Sequence, residues 1–164
     1  MNVRSTGGVP TRLPPPGPLD IAVDTFVRDA GAERVMLMNR SGRLLLQRGF
    51  ADARQVMKVA TLAAGIHATG KRIGELVGDP GMAQSQNRGS TCEFFLSELL
   101  TPAGPILFLT VFRANGRPQV ARGAFEVFAR TLGSLAGVGG DGPLRAEEFE
   151  TSLMTSLERL FPQR

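Results

Sequence analysis

The run PILFLTVFR, residues 105–113, constrains this chain more than any other stretch. Its apolar residues are continuous rather than alternating, and a strand of that kind is a central one. The preceding Pro102-Ala103-Gly104 is a turn, and TCEFFLSELL, 91–100, is a second strand with apolar residues on both faces. Earlier in the chain, VMLM (35–38) and LLL (44–46) flank Asn39-Arg40-Ser41-Gly42. Asn at the first and Gly at the fourth position suit a type I turn, so this is a β-hairpin. MAQSQNR, 82–88, is polar and weakly strand-like, as an edge strand is.

Helical periods fill the remaining space. Leu19, Ile21, Ala22, Phe26 and Val27 set one, closing at Gly31. Asp52, three residues before Gln55, starts a long helix over 54–77. Gly78 and Pro80 end it. A third helix begins near Pro118, with Val120, Ala124, Val127, Phe128, Thr131 and Leu135 as its apolar face. The element order is α-β-β-α-β-β-β-α, which predicts an α+β domain with helices covering a five-stranded antiparallel sheet.

This domain occupies residues 19–136. Residues 1–18, with TRLPPPGP at 11–18, read as a disordered or extended Pro-rich tail. GVGGDGP, 137–143, reads as a Gly-rich linker. A C-terminal amphipathic helix follows at 144–161, with Phe149, Leu153, Leu157 and Phe161 on one face at i, i+4 spacing.

Composition narrows the function. A single cysteine, Cys92, forms no internal disulfide and fits a reducing compartment. With one histidine, His67, no His/Cys cluster has zinc spacing. No apolar run is long enough to span a bilayer, and no apolar run follows the early positive charge as in a secretory leader. The net charge of +4 comes mostly from scattered arginines, without the basic stripe and stacking aromatics of a nucleic-acid binder. No pocket of convergent polar groups marks an enzyme or small-ligand sensor, and no cofactor is expected.

GIHATGKR, 65–72, imitates a phosphate-binding loop. Such a loop follows a strand and carries Ser or Thr after its lysine to hold magnesium. Here Arg72 follows Lys71, and the preceding VMKVATLAA is helical. The stretch therefore belongs to mid-helix. On that helix Val59, Leu62, Ala63, Ile66, Ile73 and Val77 form a stripe expected to cover the sheet. Ala60, Ala64 and Ala68 form a second stripe, a smooth groove where a partner approaches closely. Gly65, Gly70 and Gly74 each cost about 1 kcal/mol against alanine within a helix, and close backbone approach is the usual compensation. His67 is expected as a polar surface or interface residue.

Taken in order, ERVMLMNRSGRLLLQRG, TLAAGIHATGKRIGELVG and PILFLTVFR resemble the Roadblock/dynein light chain family, and within it the bacterial MglB type. The resemblance covers about residues 19–136. It implies a Roadblock-type, profilin-like sandwich with strand order 2-1-5-4-3. The long helix would cover one face, and the helices 19–31 and 118–136 the other. It also implies a cytoplasmic homodimer in which the edge strand pairs with its copy and the long helices lie side by side. Such proteins are non-enzymatic regulators of a small Ras-like GTPase of the MglA type, in bacterial cell polarity or gliding motility. They stimulate hydrolysis without an arginine finger. The residues matching the family's small-residue face are Ala60, Ala64, Gly65 and Ala68, with Lys71 and Arg72 at its rim. Phe149, Leu153, Leu157 and Phe161 are candidates for docking on the GTPase or back on their own domain. The alternative function is a non-catalytic Roadblock scaffold subunit in a signalling assembly.

Overall fold

The computed structural model describes residues 15–135. The tail up to residue 14, the glycine-rich linker at 137–143 and the amphipathic 144–161 segment lie outside the described residues. The elements are α1 (Pro18–Ala30), β1 (Arg34–Met38), β2 (Leu44–Arg48), α2 (Ala53–Val77), a 3-10 turn (Pro80–Ala83), β3 (Ser85–Arg88), β4 (Cys92–Thr101), β5 (Gly104–Arg113) and α3 (Pro118–Ser134). The sheet runs β2-β1-β5-β4-β3, with every pair antiparallel. This is the expected α+β sandwich.

Local chemistry sets the boundaries. In the β1–β2 turn, Gly42 N–H donates to Asn39 O at 3.0 Å, closing the four-residue turn. Asn39 Oδ1 also accepts from the backbone N–H groups of Ser41 and Arg43. Gly42 takes φ +82°, a conformation glycine adopts without strain. Asp52 caps α2 by accepting from Arg54 N–H at 2.9 Å. Gly78 closes the helix in the left-handed region, its N–H donating to Gly74 O. The 82–88 strand is shorter than its sequence implies: residues 80–83 are drawn into the 3-10 turn by Asp79, whose side chain caps Gly81 N–H.

The central strand β5 explains both layers. Alternate side chains of β5 point to opposite faces. Ile106, Phe108 and Phe112 join Phe26 of α1 and Phe125, Phe128 and Leu132 of α3 in one core. There the Phe108 ring lies 4.8–5.9 Å, centroid to centroid, from Phe26, Phe125 and Phe128. Leu107 and Leu109 face the other way, joining Met36, Met38 and Leu96 under Val56, Ala60, Ala63 and Ala64 of α2. One face thus carries two helices over a phenylalanine core, and the other carries one long helix close to the sheet.

Candidate functional site

The two faces of α2 are reversed relative to the sequence expectation. Its buried face is Val56, Ala60, Ala63, Ala64, His67 and Gly74. Its outer face carries Leu62 (67% exposed), Ile66 (39%), Ile73 (42%) and Leu76 (69%). These positions fall on one stripe of a 3.6-residue helix, with Val77 beside it. Of the stripe expected on the sheet, only Ala63 is buried and Val59 half-buried. Ala60 and Ala64 are therefore core residues and present no groove to a partner. The cause is distance. Small side chains let α2 approach the sheet, and Gly42 at the hairpin tip fits against the same spot. A Cβ on Gly42 would stand 3.1 Å from Ala60 O and 3.3 Å from the Ala64 Cβ.

The other four expected residues are exposed. Gly65, Ala68, Lys71 and Arg72 lie on the solvent side. A Cβ on Gly65 would meet nothing within 4 Å, so this domain makes no use of the missing side chain. Arg72 pairs with Glu75 at 3.0 Å on the surface. Gly70 and Gly74 have an internal use: a Cβ on either would overlap the backbone of the 3-10 turn segment, at Met82 O and Asp79 O. The expected close approach at these two glycines is made by this chain's own next segment.

His67 is buried rather than superficial, at 3% exposure. Its Nδ1 lies 3.2 Å from Ala83 O, and its Nε2 stands 3.0 Å from Glu98 Oε2. Arg40 from the hairpin tip grips both Glu98 oxygens at 2.7 Å. Burial pushes the Glu98 carboxyl up, but the contacts with His67 and Arg40 outweigh it and hold the group down at about 2. The cluster ties the hairpin, β4, α2 and the 3-10 turn together beneath the outer stripe. Arg40 and Glu98 stand 58 residues apart in sequence. The signal that could have found them is Glu98 itself, the one charged residue in FFLSELL.

At the edge of the sheet, β3 pairs with β4 on one side only. Its SQNR residues are mostly exposed, with a cross-strand Arg88–Glu93 ion pair at 3.0 Å. Among the described residues, no group of three or more His, Cys, Asp or Glu is placed to hold a metal ion. No helix among them is long and apolar enough to cross a membrane. The arrangement offers surfaces for association: an apolar helix face beside an unpaired strand edge. The docking candidates Phe149, Leu153, Leu157 and Phe161 lie outside the described residues.

No protein-family model matches the sequence, and no curated protein matches it. Solved structures do. A helix-covered antiparallel sheet of this order, with a long helix exposing an apolar stripe, defines a class of small α+β domains. The particular fold is that of the Roadblock domain. The chain resembles Myxococcus xanthus MglB with a TM-score of 0.62 and 17% identity, over 70% of this chain and 91% of that one. It resembles the gliding protein MglB of Thermus thermophilus with a TM-score of 0.57 and 19% identity, over 77% and 96%. A Roadblock/LC7 domain from Streptomyces avermitilis aligns with a TM-score of 0.59 and 18% identity, over 68% and 92%.

Proposed function

We propose that this chain is a non-enzymatic regulator of a small Ras-like GTPase of the MglA type, acting as a cytoplasmic homodimer in cell polarity or gliding motility. The observation that carries the proposal is the outer face of α2. Four large apolar residues, Leu62, Ile66, Ile73 and Leu76, stand in solvent on one helix. An apolar stripe of this size on a folded domain marks a protein contact. The fold shared with MglB supports the same reading, since one of those structures is described as a gliding protein.

In the proposed assembly, β3 edges pair across a two-fold axis and two α2 helices lie side by side. Glycine at position 65 lets a neighbouring backbone come close. Arg72 borders the apolar stripe with Ala68 beyond it, and both are left to meet the GTPase, whereas Lys71 stands nearly opposite the stripe. The chain needs no catalytic residue for this role. By binding one arrangement of the GTPase more tightly than another, it raises the population in which the GTPase's own residues are placed for attack.

The test is GTP turnover by a purified MglA-type GTPase with and without this chain. A rise in turnover that is lost in a folded Ala68→Arg variant supports the proposal. Binding without any change in turnover identifies the scaffold role instead. No binding at all sinks the regulator and leaves a scaffold that serves other partners.

A further inference from the structure

The two-helix face of the domain holds a second apolar surface that the proposed function leaves unused. A cleft of about 390 Å³ runs along the outside of α1 and α3. Ile21 and Thr25 line it from α1, and Val120, Gly123, Val127 and Thr131 from α3. Ile21, Val120 and Val127 are all well exposed. The four α3 residues recur at three- and four-residue steps, so they form one stripe about 17 Å long. Gly123 sits mid-helix, where glycine is unfavourable against alanine. A Cβ there would meet nothing within 4 Å, so no described part of the chain requires its absence.

We infer that this cleft is the docking site for residues 144–161 of the same chain. Two observations select that occupant. Phe149, Leu153, Leu157 and Phe161 repeat every four residues and, as a helix, present a stripe about 18 Å long, matching the cleft. The tether also fits. Helix α3 ends at Ser134, close to Thr131 at one end of the cleft. The nine residues 135–143 span up to about 30 Å when extended, enough to reverse direction and lay the segment antiparallel to α3. In the antiparallel register Leu153 lies over Val127 and Leu157 over Gly123, whose missing side chain makes room for it.

Two measurements on the full chain test this, and neither contains a GTPase, so their failure would leave the proposed function standing. The first is hydrogen exchange. Amides in 144–161 should exchange about tenfold or more slowly than unprotected amides. That protection should be lost in Gly123→Trp, which fills the cleft, and in Leu153→Glu, which lies outside the described domain and leaves its core untouched. Unprotected amides in the parent chain, or protection surviving Leu153→Glu, overturns the inference. The second is disulfide trapping in a Cys92→Ser background. Val127→Cys with Leu153→Cys should close within one chain under mild oxidation, and Val127→Cys with Phe161→Cys should not, because a disulfide needs Cβ atoms about 4 Å apart. A bond between two chains would assign the cleft to a second copy, and no bond would leave it without this occupant; either result overturns the inference.

Discussion

A carboxylate in the middle of an apolar strand requires partners, and Glu98 has them in His67 and Arg40. Its folded-state value of about 2 lies below the ordinary 4.5. The sign follows directly. The stabilisation is complete above pH 4.5 and disappears as pH falls toward 2, because the unfolded chain then binds a proton that the folded one resists. With Glu98 partly open to solvent, the effect should be about 1–2 kcal/mol. Urea denaturation at about pH 7, 4.5 and 2.5 checks it: the parent chain should lose that amount between the two lower values, beyond any loss seen in Glu98→Gln. The glycines of α2 give a second contrast at the same scale. Gly70→Ala and Gly74→Ala drive a methyl into the backbone of the 3-10 turn segment and should each destabilise by about 1–3 kcal/mol. Within one chain Gly65→Ala meets open space, so at concentrations where the chain is monomeric it should stabilise by about 1 kcal/mol through helix propensity. Thermal melts of the three variants compare them directly. If all three shift alike, the 3-10 turn is not packed on α2 as described.

The helices show how far sequence can be read. Strand identities, the hairpin turn and the caps at Asp52 and Gly78 are legible, because each rests on local chemistry or on continuous apolar runs. The sheet order is legible through the family resemblance. The facing of α1 is legible too, with Phe26 buried and Leu19, Ala22 and Val27 packed against the core, but that of α2 is not, and that of α3 only in part, where Phe128 is buried as expected. On α2 the larger apolar residues Leu62, Ile66 and Ile73 are expected on the sheet, yet they face outward. On α3 Val120 and Val127 are exposed while Ala121, Phe125 and Ala129 are buried. Both helices carry two apolar stripes, and periodicity alone cannot say which one the sheet takes. On α2 the answer lies in interlayer distance, which the alanines permit and which the hairpin tip at Gly42 enforces. His67 is misread from sequence for a related reason, since its partner Glu98 arrives from a distant strand. This reversal changes what a substitution should do. Ala64→Arg puts a long charged side chain into the core beneath Gly42 and should cost about 3 kcal/mol or more. Ala68→Arg, on the exposed side, should leave the melting temperature nearly unchanged. Circular dichroism melts separate the two, and an unperturbed Ala64→Arg would mean that α2 sits with its other face on the sheet.

At the scale of the molecule, the sheet has two edges, β2 and β3, and they are treated differently. Arg48 of β2 binds Asp20 at 2.8 Å and Asp24 at 2.6 Å, which fastens that edge to α1. β3 has no covering element on its outer side among the described residues, and the exposed stripe of α2 belongs to the opposite layer from the phenylalanine core. An unpaired edge and an apolar helix face are each a liability in an isolated domain, and one two-fold axis through both would cover them together. Substituting the helix face should therefore act on assembly and leave the fold intact. Leu62→Asp combined with Ile73→Asp removes two residues that the domain core does not use, so the chemical stability of a monomer should change by less than about 1 kcal/mol. Sedimentation at micromolar concentration should show the parent chain at twice its chain mass and the double variant at the chain mass. In the turnover assay the same monomeric variant should fail to stimulate the GTPase, because a seat built from two α2 helices is lost when they separate. A double variant that remains dimeric would place the contact on the β3 edge alone, and a monomer that still stimulates turnover would show that a single α2 suffices.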